Sequence, residues 1–526
     1  MAKRRDELAA YTFARKRTVA AFLAPEPGGS EEGAPRPVRT VMPSLAVGVI
    51  LVVGFIAWGV IKPAAPKGWD TVGEHVIVDK DSTTRYVVLK DKETGEKVLH
   101  PVLNYASAKL LLEKGKGTVL EVPGKEIDKS NIRHGSTIGI PYAPDRLPAK
   151  EDAEKAKTWA VCERPAAGGG AAPDRAVFVM NAEDAKAVKG KGKVDSSEAL
   201  YVEAPNGLRF LVDGNGTVFR LGSDNVNADK TLTQNLRSAV IGGTNVPRKV
   251  SGEWLATLND GGQITFPTIP QAGAPTGVQG LPDEAARVGT ILKVADAAGE
   301  LNYVVLRDRV ASITPFMAAV LKASPSAEAA YQGTKPVDVE VSSNDVNTAN
   351  GGAAEPLGIG ESWPRDVPKQ VNATEGAPGE VNDTSCSLFD GTFNTAAKKP
   401  NLGAWAGKEY PRKVLSDSLN AYVSSGSGLL FQEITGRAGG GGHTYLLTDT
   451  GLRYSLPAGN DNASDKTGEE GTGLKEGEGP SETDKARTRL GYEKVKDKRY
   501  VPQGWAQFIP KGPTLDTGSA KQAQSQ

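Results

Sequence analysis

Met42–Ile61 reads MPSLAVGVILVVGFIAWGVI, the one long apolar run of this chain, without a charged residue and bracketed by Arg39 and Lys62. In a helix rising ~1.5 Å per residue, about 20 residues cross a hydrocarbon core of roughly 30 Å. The run begins at residue 42 of 526, so one helix divides the protein into a short arm and a very large domain. A cleaved secretory signal carries its charges at the extreme N-terminus and an apolar core of only about 7–15 residues. The longer, later run here fits a signal-anchor better. A buried core helix of this length rarely lacks charge altogether.

The arm carries Lys3, Arg4, Arg5, Arg15, Lys16, Arg17, Arg36 and Arg39 against Asp6, Glu7, Glu26, Glu31 and Glu32. Counted over the whole arm, the positive-inside rule places it in the cytoplasm. Close to the helix, Arg36 and Arg39 nearly balance Lys62, Lys67 and Lys80, and Lys62 can snorkel to the interface. The expected topology is a single-pass plasma-membrane protein, N-terminus inside and bulk outside. The arm itself reads as a helix from about Arg4 to Leu23, with Leu8, Tyr11, Val19 and Phe22 near one stripe and Arg15, Lys16 and Arg17 as a basic cluster. Such a helix can lie on the inner leaflet or dock on a cytoplasmic partner. Gly28–Pro37 links it to the membrane.

The 63 basic residues equal the 63 acidic ones, so no global charge points to nucleic acid. Hydrophobic content of 39% and aromatic content of 6%, with 61 Gly and 34 Pro, favour small β-rich modules over one large core. The two cysteines, Cys162 and Cys386, both follow the apolar run. In an oxidising compartment they are natural disulfide partners; the alternative is two separate buried thiols. A bridge between them would close a loop to which the chain-entropy model assigns roughly 5 kcal/mol, an upper figure.

Beyond the membrane run a unit recurs. A short apolar strand (His75–Val78, Leu200–Val202, Ile291–Val294, Leu429–Phe431) precedes an aromatic-led strand and polar turn (Tyr86–Asp91, Phe210–Gly214, Tyr303–Asp308, Tyr445–Asp449). A third strand follows at Val98–Leu99, Val218–Leu221, Val310–Ile313 and Leu452–Leu456. Asp213-Gly214-Asn215-Gly216 is a strong hairpin signal. In three units a helical run comes next, near Ala106–Lys114, Leu232–Val240 and Pro315–Leu321. The aromatics fall unevenly, at 86, 210, 303 and 445, which excludes a solenoid of fixed period and fits modules with variable insertions. Glu163–Ala176 and Asn460–Asp484 read as linkers, the second strongly charged, and Lys511–Gln526 as a flexible tail.

No chemical motif stands out. His75, His100, His134 and His443 lack metal-ligand spacing. There is no G-x-S-x-G elbow and no G-x-x-x-x-G-K-[ST] loop. The Gly-rich runs are Gly115-Lys116-Gly117-Thr118, too short to wrap a phosphate chain, Gly439–Gly442, a flexible loop before a hairpin strand, and Gly471-Thr472-Gly473 in the charged segment. No catalytic, metal or cofactor-binding residue is assigned.

The opening Arg4-Arg5-Asp6-Glu7-Leu8-Ala9-Ala10-Tyr11, with Phe13-Ala14-Arg15-Lys16-Arg17, resembles the N-terminus of the EccB family, core components of type VII (ESX) secretion systems. The entry near Trp69, Trp159-Ala160-Val161-Cys162, Leu452–Pro457, Leu490-Gly491-Tyr492, Val501-Pro502 and Ile509–Pro513 follow in matching order. The resemblance implies an α+β protein: one transmembrane helix and an elongated extracytoplasmic domain of four β-hairpin/helix repeats around a central β domain. It implies the Cys162–Cys386 disulfide and the arm-inside orientation. The expected divisions are arm 1–41, membrane helix 42–61, repeats 70–150, 196–262, 263–335 and 425–510, central domain 151–195 and 336–424, and tail 511–526. Implied partners are EccC (the motor ATPase), EccD, EccE, a mycosin protease and further copies of the chain, with small WXG100-type proteins as cargo. Family members also carry an ATPase label. ATP, the one cofactor in question, thus belongs to an alternative reading, as does recognition of cell-wall glycans.

Overall fold

The structure is a computed structural model describing residues 4–23, 37–61, 65–166, 172–223, 230–296, 299–372, 382–394, 396, 398–414, 421–435, 442–457, 482–495 and 499–524. Asn460–Ser481, Gly439–Gly441 and Gly471–Gly473 lie outside the described residues. The chain divides into two compact units, residues 1–70 with 77–83 and 120–131, and all the rest.

In the first unit the arm helix spans Arg4–Leu23 and the apolar helix Pro37–Ile61. Val41–Gly59 has a mean hydropathy of 2.3, sufficient by length and composition to cross a membrane. The arm is less amphipathic than its apolar spacing suggests. At about 100° per residue, Arg4 and Arg15 fall in the same arc as Leu8, Tyr11, Val19 and Phe22, and Phe13 lies opposite. Leu8, Tyr11, Phe13 and Phe22 are all exposed. Within this unit Ile77–Asp79 and Leu120–Val122 are neighbouring strand segments, and Lys80 N donates to Val122 O at 3.0 Å.

The second unit is built from hairpins and short helices. Its first module pairs Arg85–Lys90 with Lys97–Val102 antiparallel, caps the helix Tyr105–Leu111 with Asn104, and adds Arg133–His134 in parallel. In the second, Glu198–Glu203, Arg209–Asp213 and Thr217–Leu221 form a meander before the helix Lys230–Val240. The third repeats this with Ile291–Asp296, Gly299–Val305 and Val310–Ile313, then the helix Pro315–Lys322, whose N-cap Thr314 accepts from Met317 N. The fourth has Leu429–Ile434, Thr444–Leu447 and Arg453–Leu456.

A strand late in each of the last three modules returns parallel to the first strand: Arg248–Lys249, Val339–Glu340 and Arg499–Pro502. Parallel neighbours need a crossover, and the module helix supplies it. The fourth module has its helix too, Glu482–Arg489, polar along its length and therefore without an apolar period to read.

Three expectations are corrected. Residues 336–372 do not belong to the central domain: Val339–Glu340 completes the third sheet, and Lys369–Gln370 pairs with Glu198–Ala199 of the second. Glu163–Ala176 is not a linker throughout, since Glu163, Arg164 and Asp174–Ala176 lie in paired strands. Nor is the C-terminus a flexible tail through its described part, because Leu515 and Ala520 are fully buried in the first module's core.

Candidate functional site: the central sheet and its joints

One sheet gathers strands from distant parts of the sequence, in the order Pro400–Gly407, Thr384–Phe393, Thr158–Arg164, Asp174–Met180 and Ala421–Val423. Thr158–Cys162 is an unbroken buried run, as expected of a strand covered on both faces. Alternation then sorts its side chains. Trp159 and Val161 face a core shared with Leu200, Val202 and Trp254 of the second module and Phe431, Tyr445 and Trp505 of the fourth. Ala160 and Cys162 face a separate core with Phe178, Met180, Leu388 and Trp405.

Cys162 stands directly opposite Cys386 in antiparallel register, and the two form a disulfide with an S–S distance of 2.03 Å. The bond therefore ties the middle strands of the sheet to each other. Sequence alone left two separate thiols open as an alternative.

Polar joints fasten the second and fourth modules to this sheet and to each other. The Glu163 side chain is fully buried; its carboxylate accepts Arg175 Nε at 2.7 Å and the backbone N and Oγ of Ser251, both at 2.7 Å. Ser251 is the N-cap of the helix Gly252–Leu255, so one carboxylate is bound to the start of a second-module helix. Trp254 Nε1 donates to Val161 O at 2.9 Å, and Trp505 Nε1 to Thr257 O at 3.1 Å. Asp152 accepts Lys157 Nζ, Ser427 Oγ and Gly428 N, each at 2.8 Å. Burial raises its pKa, yet these bonds outweigh it and hold the carboxyl below the usual carboxylate value. Asp184 behaves alike: burial opposes ionisation, and Ser424, Tyr422 and Arg412 more than offset it. Burial pushes the Tyr410 hydroxyl up to about 12. None of these joints was read from the sequence, though Ser251 before Glu253-Trp254 is a legible N-cap signal.

The residues considered for chemistry stay apart. His100 Nδ1 lies 2.9 Å from Ser136 O, His134 packs edge-on to Tyr86, His75 sits beside Glu74, and His443 is in the fourth module's hairpin. Among the described residues no three His, Cys, Asp or Glu side chains are grouped to hold a metal ion. Gly115–Thr118 does not fit a phosphate chain: Gly117 N donates to Glu74 O at 2.7 Å, and Lys116 Nζ is held by the Glu74 carboxylate at 2.6 Å. A phosphate-binding loop needs its amides and lysine free to point at the anion. Gly442, the described end of the second run, lies against the facing strand: its carbonyl accepts Gln432 Nε2 at 3.0 Å, and a Cβ there would collide with Glu433 O.

Among the described residues, one helix long and apolar enough to cross a membrane, followed by four hairpin-based modules and a disulfide-bonded central sheet, defines a multi-module protein with a candidate membrane span. Residues 2–526 match the family model for EccB, described as type VII secretion system ESX-1, transport TM domain B, and the chain belongs to that family. It is 28% identical over 304 residues to the ESX-1 secretion system ATPase EccB1 of Mycolicibacterium smegmatis, covering 58% of this chain and 57% of that one. With the ESX-2 secretion system ATPase EccB2 of Mycobacterium tuberculosis it shares 30% identity over 316 residues, 58% of this chain and 57% of the relative. The chain thus spans a little over half the length of these curated relatives. Its fold is shared with a chain of an intact ESX-5 inner membrane complex (TM-score 0.56, 18% identity, 100% of this chain and 96% of that one). It is also shared with the EccB3 dimer from the ESX-3 core complex (TM-score 0.56, 21% identity, 85% and 100%).

Proposed function

We propose that this chain is a structural core subunit of a type VII secretion membrane complex, with residues 1–41 in the cytoplasm and the module domain outside. It scaffolds the channel and links the motor ATPase EccC, with EccD and EccE, to the extracytoplasmic side, next to a mycosin protease and further copies of itself. The cargo is of the WXG100 type. The observation that carries this reading is the way the second and fourth modules are fastened to one buried, disulfide-bonded sheet, by joints such as Glu163–Ser251, while the third packs on the second and the first on the fourth. Such an arrangement transmits position from one module to the next. Deleting residues 4–23 and purifying the membrane complex tests it. The motor subunit should then be lost from the complex; its full recovery would remove the linking role.

A second reading, ATP hydrolysis, is favoured by the names of the EccB1 and EccB2 relatives. Against it stand the occupied amides of Lys116 and Gly117 and the pairing of the Lys116 ammonium with Glu74. Glycan recognition, the third reading, has no specific observation in its favour.

A further inference from the structure

In the third module the strand Gly299–Val305 is longer than its neighbour Val310–Ile313, and the two pair only from Val305↔Val310 to Asn302↔Ile313. The shorter strand stops there because Thr314 caps the next helix and Pro315, the first helical residue, has no N–H to add to a ladder. Its other neighbour is the segment Glu355–Leu357: Ser312 N donates to Glu355 O at 2.9 Å, and Leu357 N to Ser312 O at 3.1 Å. Both neighbours run on past the stop, one as Gly299–Leu301 and the other as Gly358–Glu361. A strand position between them is left unfilled, and a cavity of about 330 Å³ occupies it. The flanks of one strand lie ~9.6 Å apart and three overhanging residues span ~10 Å, so the slot has room for about three residues of extended chain.

The slot is equipped for such a chain. Ser312 turns its N–H and C=O away from the longer strand, so Ile313 and Asn302 face each other across the ladder. By alternation Glu300 turns its own N–H and C=O the same way, into the slot, where neither meets a strand partner among the described residues. Leu301 and Ile359, both exposed, wall the cavity, with Ile313, Met317 and Leu357 behind them. At the Ile313–Pro315 end the chain itself closes the slot, so a guest in line with the missing strand has to end there. Arg365 stands at that end, since its carbonyl accepts Phe316 N at 3.0 Å. Its exposed guanidinium lines the cavity and has no hydrogen bond or ion pair among the described residues. The acids lining the cavity are Glu300, on the overhang and held by Lys293 at 2.8 Å, and Glu361.

We propose that this slot takes the C-terminal end of another polypeptide, an extended apolar segment added as a strand with its α-carboxylate at Arg365, a recognition role beyond the scaffolding reading. Such a guest runs parallel to Gly299–Leu301, bonds to Glu300 through its backbone and sets alternate side chains against Leu301 and Ile359. The charges agree with that direction: a cation at the closed end meets the carboxylate, and an acid on the overhang suits a basic residue upstream. An acyl chain could fill the apolar walls but would leave the Glu300 backbone groups unpaired.

The test uses the full chain in neutral-lipid nanodiscs and an array of labelled hexapeptides whose last three residues are drawn from Val, Ile, Leu and Phe, each made as the free acid and as the C-terminal amide. Free acids should bind saturably, their amides at least tenfold more weakly, and bound peptide should slow amide hydrogen exchange in residues 299–302. Arg365→Gln should weaken the acids about tenfold and leave the amides unchanged. Leu301→Asp should weaken both, and Val337→Asp, at an exposed apolar residue of the same module outside the cavity, neither. Absence of saturable binding across the array would overturn the proposal. Equal binding of acids and amides would also overturn it and give the slot to internal segments, and binding of laurate without binding of any peptide would give it to an acyl chain.

Discussion

Ser251 Oγ lies 2.7 Å from the Glu163 carboxylate, both groups buried and 88 residues apart in the sequence. The same carboxylate holds Arg175, whose guanidinium also covers the Phe508 ring at 4.9 Å. One carboxylate thus fastens the central sheet, the second module and, through Arg175, the C-terminal part of the fourth. Removing one partner of a buried charged pair costs about 3–5 kcal/mol, most of it from the charge left behind. Arg175 keeps a third of its side chain in solvent, which moves the expectation toward the low end. Glu163→Ala should therefore lower the unfolding free energy by about 3 kcal/mol, and Glu253→Ala, at an exposed partner of Arg175, by less than about 1 kcal/mol. Equal effects in denaturant titrations would reject Glu163 as the joint.

The disulfide gives a second expectation. Cys162 and Cys386 are both fully buried, so neither should react with an alkylating reagent in the folded protein, with or without reductant. Both should react once the chain is unfolded and reduced. Cys162→Ser with Cys386→Ser should destabilise by a few kcal/mol, bounded by roughly 5 kcal/mol from loop entropy. Two reactive thiols in unreduced, unfolded protein would contradict the bond.

Acid should weaken the joint at Asp152. Its folded pKa lies below the ordinary 3.8, so it stabilises the fold fully above that value. That contribution is lost as pH falls through the depressed folded value, since the unfolded state then binds the proton more readily. The slope of unfolding free energy between about pH 4 and about pH 2 should be shallower for Asp152→Asn than for the unaltered chain. The variant will be less stable throughout, because Lys157, 3% exposed, loses its counter-charge. An unchanged slope would show that Asp152 is not titrating against Lys157.

The hairpins were legible because aromatic and β-branched residues alternate before a Gly or Asp turn; Phe210–Asp213 pairs with Thr217–Leu221 around the turn its residues predict. The apolar helix was legible from composition alone, and its start at Pro37 lies beyond the charge-free run because Arg39 does not stop a helix. Val339–Glu340 and Lys369–Gln370 were not legible: two-residue parallel strands have no period and are fixed only by the sheets they join. The joints were hidden for a related reason. Glu163 and Arg175 look like ordinary surface charges until the fold buries one against the other, and only tertiary contact does that.

Topology can be read with a reporter active only outside the cytoplasm, fused after Gln526. We expect it to be active there and silent when fused ahead of Arg4. The expectation rests on the basic arm, since the charges nearest the helix almost balance. An expressed but silent C-terminal fusion would reverse the orientation and with it the proposed contact between the arm and the motor.

The ATPase reading makes the sharpest contrast. Hydrolysis needs backbone donors or cations on several phosphate oxygens at once, and usually carboxylate or hydroxyl ligands for a magnesium ion. Gly117 N and Lys116 Nζ, the described glycine-loop groups best suited to that task, are both held by Glu74. Purified residues 65–526 should accordingly turn over ATP no faster than a mock preparation carried through the same columns. Lys116→Ala should leave that background unchanged and weaken only the contact with Glu74. A turnover that follows the protein through successive columns and falls on a substitution in this domain would establish the enzyme. The position of that substitution would then mark a site assembled from distant residues, since no single described loop provides one.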